Sequence, residues 1–589
     1  MWAQFPRVIV IGVASLVLSS CGGGGGGGHE ASPAPTSITI VSGNNQAGIA
    51  GSTLPAALVV SVKDAAGRAV TGATVSWAVV AGGGAVTPTA STTDSAGLAT
   101  TNWTLGTAAG ANSVTATSGT LPAVAFDATA TAAVTASVTV SIPVQKIYEG
   151  DSVQLTAVAK DAAGNVLFGK TVDWSSGDTT RFPVSAAGLL STWGYGVAIV
   201  TATVDGVAGN AALEVDPIIV TVAVGSKEVV FDYSTDRCEE LDLPDLPTRM
   251  VRAEDGSLVY FAGNAPRVYA SRGADFNSLK RDCSQPVLVS ADRRTPESYE
   301  NWEWIWSVYR VGSTWHAMVH NEYHDTFAST CNPGDPSPGN PCWYNSVTHA
   351  VSTDGGHTFT KPLAPAHVIA PAVEVWTPPT QKPTQSFPIG YVGGPVIRHT
   401  DGNYYAIVNL HMSTTAPTYD YVCLIRTDNL DDPSSWRAWD GSGFSLRMAS
   451  PYVTGVPGSV CPSLSQMWNY ASLSYSTYLN RYVGLGNGAT YIGGRNVCGI
   501  YLQLSSDLIH WSRPTLVVEA TLRGCLADPG APGVLEPVEV IFPTFIDHAD
   551  TSVNFENIGQ TPYLYYVRFT NGNLDRDVVR VPVTFTRTN

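Results

Sequence analysis

A chain of 589 residues with only 14% charged residues and a net charge of −16 does not suit a nucleic-acid partner, because phosphate binding needs clustered Lys and Arg. Helix formers are scarce while Thr, Val, Ser, Gly and Tyr are abundant, which is the composition of an all-β protein. Beyond the first twenty residues no long apolar run occurs, so no transmembrane helix is expected.

At the N-terminus, Arg7 precedes an unbroken apolar run from Val8 to Leu18. That run is too short for a stable bilayer anchor but fits the central region of a signal peptide. It ends in Leu18-Ser19-Ser20-Cys21, which resembles the bacterial lipobox, in which the Cys is lipidated and becomes the first mature residue. Residues 1–20 are therefore expected to be a lipoprotein signal peptide. Residues 21–35, seven glycines followed by a Pro-containing stretch, form a tether with no means of packing a core. Gly22 is not the Asp that usually retains lipoproteins in the inner membrane. The resemblance thus implies an outer-membrane lipoprotein facing either the periplasm or the cell surface, partnered with the membrane through the Cys21 lipid.

Residues 36–217 contain a repeat. Lys63-Asp64-Ala65-Ala66-Gly67 recurs as Lys160-Asp161-Ala162-Ala163-Gly164, and Val75-Ser76-Trp77 recurs as Val172-Asp173-Trp174 at the same offset. Short alternating strands between Gly, Asp and Asn turns indicate two β-sandwiches, 36–133 and 134–217, each plugged by its Trp. These units resemble the bacterial Ig-like domains of invasin- and intimin-type surface proteins. Neither carries an unusual polar or aromatic cluster, so a spacer role is favoured over adhesion.

From residue 218 the texture changes, and a longer period appears. Ser352 to Phe359, Thr427 to Trp436 and Ser505 to Trp511 each end a strand in a Ser/Thr-x-Asp or Thr-Asp turn closed by an aromatic, with a weaker copy at Ser271 to Phe276. Spacings of about 75–80 residues with strand-rich content indicate propeller blades. The Asp in each turn accepts backbone N–H groups, and the aromatic anchors the turn between sheets. Five inner-strand openings, at Met250–Phe261, Ile305–His320, Pro395–Val408, Ser472–Leu485 and Phe542–Phe569, give five blades over 218–589.

All cysteines but Cys21 lie in this region: Cys238, Cys283, Cys331, Cys342, Cys423, Cys461, Cys498 and Cys525. An even number in an exported protein implies disulfides. Their connectivity is open, nearest-neighbour pairing being the simplest. No CxxC pair suggests zinc.

Ser352-Thr353-Asp354-Gly355-Gly356-His357-Thr358-Phe359 matches the sialidase Asp-box, S-x-D-x-G-x-T-F, and the blade turns resemble those of five-bladed arabinanase-, xylosidase- and fructosidase-type glycosidases. The resemblance implies a glycan substrate and a central funnel lined by inner strands. Two carboxyl groups are then needed. Asp245 opens blade one, where the resembled enzymes carry their general base. Glu303 lies among Trp302, Trp304 and Trp306, a setting that would keep a carboxyl protonated. Glu322 lies in His320-Asn321-Glu322-Tyr323-His324. Either glutamate is the expected proton donor, with Asp245 as base or nucleophile. Arg249 and His320 are expected to orient hydroxyls or a carboxylate, and Asp547 and Trp343 to contact substrate. Tyr344, Trp376, Tyr419, Tyr421, Trp468 and Tyr470 are further stacking candidates. The blade-three opening, Ile389-Gly390-Tyr391-Val392-Gly393-Gly394-Pro395, departs from the arabinanase pattern, having no acid where those enzymes place their donor. His320, Glu322 and His324 share one face of a strand, and a polar pocket wall is favoured over a metal site there. No cofactor is called for, although a structural metal ion is compatible with the fold, and a monomer is expected. Two other readings stay open: a non-catalytic carbohydrate-binding or adhesive propeller, and a sialidase-like enzyme using Arg249 and Arg568 toward a substrate carboxylate.

Overall fold

The computed structural model describes residues 34–324, 343–376, 387–413, 419–464 and 472–588, apart from 163, 265, 294, 457, 529, 532 and 571–573. The signal peptide, Cys21, the Gly-rich part of the tether, the Cys331–Cys342 pair, Trp468 and Tyr470 lie outside these residues, as do the side chains of Trp343, Tyr344 and Tyr419. The chain is all-β: two Ig-like sandwiches followed by a five-bladed propeller. Contacts group it into two compact units. One holds the chain up to Thr139 with Val158–Thr171 and Thr203–Ala208, and the other holds the rest.

In the first sandwich, one sheet is built from Ser37–Ser42, Leu58–Lys63, Leu98–Leu105 and Gly84–Thr87. The other is built from Gln46–Ile49, Val124–Thr131, Gly110–Thr117, Thr74–Ala81 and Ala90–Thr92. Strict alternation buries Ala99, Thr101, Trp103 and Leu105 along one strand, as a pleated sheet with one packed face requires. Trp77 plugs the core and donates its Nε1–H to Ser91 Oγ at 2.9 Å. The repeated turns share their mechanics. Asp64 Oδ1 accepts from the N–H groups of Ala66 and Arg68, and Asp161 Oδ1 from that of Asn165, with Gly67 and Gly164 at positive φ (78° and 86°). The second sandwich centres on Phe182, Leu190 and Val200, with Trp174 packed against them.

Blade one runs outward through Arg249–Arg252, Leu258–Phe261, Ala270–Gly273 and Lys280–Arg281. Blade two runs through Trp302–Val311, Thr314–His324, Trp343–Ser352 and Val368–Ala370. In blade three, Phe387–Val392 and Val396–Arg398 share the inner position against Tyr404–Ser413. Tyr419–Thr427 and Arg437–Ala438 complete it. Blade four is Ser472–Ser476, Arg481–Ile492, Arg495–Ser505 and Thr515–Glu519. Blade five takes Val540–Ile546, Tyr563–Phe569 and Arg576–Arg587 from the chain's end and its outer strand, Val220–Val224, from the segment before blade one. Strands from the two ends of the propeller segment thus pair within one blade, which ties the ring together. From blade one to blade five, each inner strand neighbours the next. All five expected openings fall on inner-strand pairs.

The aspartate turns do what their residues suggest. Asp354 Oδ1 accepts from the N–H groups of His357 and Thr358, Oδ2 accepts from the Thr358 hydroxyl, and Phe359 is buried against Phe261. Asp507 Oδ1 accepts from the N–H groups of Ile509 and His510, and Trp511 is buried. Cys238–Cys283, Cys423–Cys461 and Cys498–Cys525 are bonded, with Cα atoms 5.3, 5.8 and 5.8 Å apart. Among the described residues no helix is long and apolar enough to cross a membrane.

Candidate active site

In blade two, Trp302 lies opposite Glu322 and Trp304 opposite His320. Directly opposed residues of an antiparallel pair share a face, so both tryptophans join His320, Glu322 and His324 on one side of the blade. Glu322 is clamped there. His320 Nε2 lies 3.3 Å from its Oε1 and His324 Nε2 lies 3.0 Å from its Oε2. The Trp302 ring centroid is 5.1 Å from that of His324, and the Trp304 centroid is 4.7 Å from that of His320. Burial alone would raise the Glu322 carboxyl, but hydrogen bonds from the two imidazoles and their charge outweigh it and bring the group to about 2. Among the described residues, no group of three or more His, Cys, Asp or Glu is arranged to hold a metal.

Asp245 reaches the same region from the segment ahead of blade one. The Arg576 guanidinium, at the start of blade five's third strand, donates to its Oδ1, and Asn264 Nδ2 lies 3.3 Å from its Oδ2. Burial raises this carboxyl above the ordinary aspartate value against the pull of Arg576, and the nearby charge of Glu322 raises it further. The charge of Glu322 thus acts on Asp245, and the surroundings of the two carboxyls push them in opposite directions.

The other expected residues fall elsewhere. Glu303 pairs across the strands with Asn321, so it faces away from Glu322. It is fully buried, bonded by Lys361 Nζ and by the N–H of Ala291 at 3.4 Å. Burial raises its carboxyl, and Lys361 opposes the rise. Asp547 is buried in a blade-five turn, where its oxygens accept from the N–H groups of Ala549 (2.8 Å) and Gly559 (2.6 Å). Trp376 packs edge-on to Tyr323, centroids 5.5 Å apart. Arg568 is bound to Asp577 and Glu536. Arg249 opens the inner strand of blade one. Its Nε and Nη2 are buried with no acceptor, and burial lowers the guanidinium to about 9.

At blade three's opening the glycine positions themselves leave little space for a side chain. A Cβ on Gly393 would stand 3.2 Å from the Trp306 ring, and one on Gly390 would stand 1.9 Å from the Asn345 carbonyl oxygen. Arg576 and Asn264 were not legible as site residues. Arg576 is 331 positions from its partner Asp245, and nothing local distinguishes it from the arginines of other blades.

No family model and no curated protein matches this chain. Among solved structures, the endo-arabinase from Bacteroides thetaiotaomicron matches over 60% of this chain and 97% of its own, at 11% identity and a TM-score of 0.31. A structure described as a glycoside hydrolase matches over 62% of this chain and 93% of its own, at 12% identity and a TM-score of 0.34. Invasin, a bacterial integrin-binding protein, matches over 81% of this chain and 77% of its own, at 11% identity and a TM-score of 0.25. These likenesses carry no argument about activity.

Proposed function

We propose that the protein is an exported glycoside hydrolase, held at a membrane by lipid on Cys21, that cleaves a glycan in the propeller funnel between Asp245 and Glu322. What supports this reading is that the charge of Glu322 acts on Asp245, whose carboxyl burial raises, while two imidazoles bring the Glu322 carboxyl to about 2. That is the pattern by which one carboxyl stays ionised while its neighbour holds a proton. Glu322, ionised under its two histidines, is the base or nucleophile. Asp245, with the raised carboxyl, is the proton donor to the departing oxygen. This reverses the roles expected from the sequence and leaves Glu303 as the partner of Lys361. The disulfides of the propeller support export.

The test is hydrolysis of a glycan panel by the full chain and two variants. Glu322→Gln should lose about 10²–10⁴-fold in kcat on every cleaved substrate. Asp245→Asn should lose as much on natural linkages but far less on aryl glycosides, whose leaving groups need no proton. Equal losses on both substrate types for Asp245→Asn would overturn the assignment of roles. Normal turnover in both variants would overturn the site. Binding without cleavage anywhere on the panel would leave a carbohydrate-binding protein in place of the enzyme.

A further inference from the structure

A strand's period of two sorts the third strand of blade two, turning Ser346 and Thr348 to one face and Asn345 and Val347 to the other. On the first face the polar groups are matched. Asn321 accepts from the Asn301 backbone N–H at 2.8 Å and donates to Ser346 Oγ at 3.0 Å. On the second face Asn345 stands directly opposite Glu322, which stands opposite Trp302. The three form one row across three strands. Asn345 is only 5% exposed, and its Oδ1 is buried with no donor among the described residues. A buried acceptor without a donor has given up its water with no bond in return, so it calls for a physical reason.

The groups packed around it do not supply that donor. Both Glu322 oxygens are engaged by imidazoles, and a carboxylate has no proton to give. The inner strand of blade three lies against Asn345, with Gly390 paired to it in register. Gly390, Gly393 and Gly394 bring no side chain, and Gly390 is so close that a Cβ there would clash with the Asn345 carbonyl. The Tyr391 hydroxyl is turned to the Ser459 carbonyl at 3.3 Å. What the place lacks is a hydrogen-bond donor, and a sugar ring carries several hydroxyls. The Glu322 side chain is 22% exposed, so the row can be reached from outside. Opposed residues of an antiparallel pair have Cβ atoms about 4.5–5.5 Å apart, so one sugar ring can meet Glu322 and Asn345 together.

We propose that Asn345 is a specificity-determining residue of the funnel: its amide oxygen accepts from one ring hydroxyl of the sugar held against Glu322, and the site therefore selects a glycan residue with a free hydroxyl at that position. This rests on the hydrolytic reading of the same funnel. A site built to bond a hydroxyl rejects the analogue that lacks it far more strongly than an apolar pocket rejects a missing methylene, because the buried acceptor is then left unpaired.

The experiment crosses protein with substrate. The full chain and Asn345→Leu, which keeps the approximate size and removes the acceptor, are assayed on 4-nitrophenyl arabinofuranoside, xyloside, galactoside and glucoside and on the monodeoxy analogues of each. In the unaltered protein, one deoxygenation of the cleaved glycoside should cost about 10²-fold or more in kcat/KM, and the others much less. Asn345→Leu should lose about as much on the parent glycoside and then treat the parent and that deoxy analogue alike. A merely structural role would lower both substrates by one factor and leave their ratio unchanged. Should Asn345→Leu fail to fold, Asn345→Asp keeps the shape and an acceptor and should still favour the parent. The inference is overturned if no deoxygenation costs more than about tenfold, if Asn345→Leu keeps the full discrimination, or if Asn345→Asp loses it. Any of these together with cleavage that depends on Glu322 leaves the hydrolytic reading in place. Where nothing is cleaved, calorimetric titration with the same glycosides decides. Binding that prefers a parent to one deoxy analogue, and loses the preference in Asn345→Leu, keeps the inference and removes hydrolysis. Neither binding nor cleavage overturns both.

Discussion

His349 is buried in blade two beside two more histidines. Its Nε2 is 3.3 Å from His316 Nδ1, and its backbone N–H donates to the His367 carbonyl at 2.7 Å. Burial, with the charges of His316 and His367 adding to it, brings His349 down to about 3, and burial also lowers the other two. Asp431 near His316 and Glu300 near His367 oppose the shift, and Lys361 adds to it at His367. A histidine kept neutral by the fold binds fewer protons than it does unfolded. Stability is therefore complete above 6.5 and falls as pH drops below that value toward the depressed one. One proton of difference gives a slope of about 1.4 kcal/mol per pH unit. Chemical denaturation between pH 7 and 5 should show this fall, and His349→Gln should flatten it by nearly one proton's worth. An unchanged slope in that variant would remove His349 as the cause. At this scale the sequence was only half legible. Trp302, Trp304 and Trp306 drew attention to Glu303, yet a strand's period of two turns Glu303 away from the tryptophans on either side of it. Glu322, two residues from each of its histidines, has the parity that puts it on their face.

Local elements were far easier to read. A turn such as Ser352–Phe359 is closed by atoms within a few residues of one another, so its residue types carry its geometry. The turn and its aromatic plug contribute unequally. Asp354 is exposed, and its bonds are partly replaced by water when it is removed, so Asp354→Ala should cost about 1 kcal/mol. Phe359 is buried between Phe261 and its neighbours, so Phe359→Ala should cost about 3–4 kcal/mol through lost transfer and a cavity. Urea unfolding of the two variants measures both, and equal costs would mean that the plug is not the main contributor. Blade number was legible because each blade opens with an inner strand, a turn and a second strand that lie close together in the sequence. The outer strand of blade five was not, since Val220–Val224 pairs with Val583–Arg587 from the far end of the chain, and no local pattern encodes that distance.

Within the larger unit, most of the second sandwich meets the propeller across a seam built from single residues. Arg481, nearly buried, donates to the Glu149 carbonyl at 3.1 Å and bonds Asp151. The Trp193 ring stacks on His510 with centroids 3.5 Å apart and planes 10° apart. Arg587 lies over the Tyr148 ring at 4.1 Å and Arg513 over Tyr195 at 5.2 Å. A linker alone would need none of this, because a flexible spacer gains reach by staying free of the domain it carries. Here cations, an aromatic stack and a buried arginine are matched across the join, so the sandwich and the propeller should unfold together. Calorimetry of the full chain should show the second sandwich melting with the propeller in one transition. Trp193→Ala combined with Arg481→Ala should separate the two. Each single change should cost about 1–2 kcal/mol, because the stack and the half-exposed Asp151 partner are both modest terms. Two resolved transitions in the unaltered protein would show that the seam couples nothing. A single transition that survives both substitutions would place the coupling elsewhere in the unit. The proposed chemistry is separable from this joint, since Asp245 and Glu322 draw on blades five, one and two, whereas Arg481 and His510 belong to blade four. Variants broken at the seam should therefore melt earlier yet keep their turnover at temperatures where they remain folded.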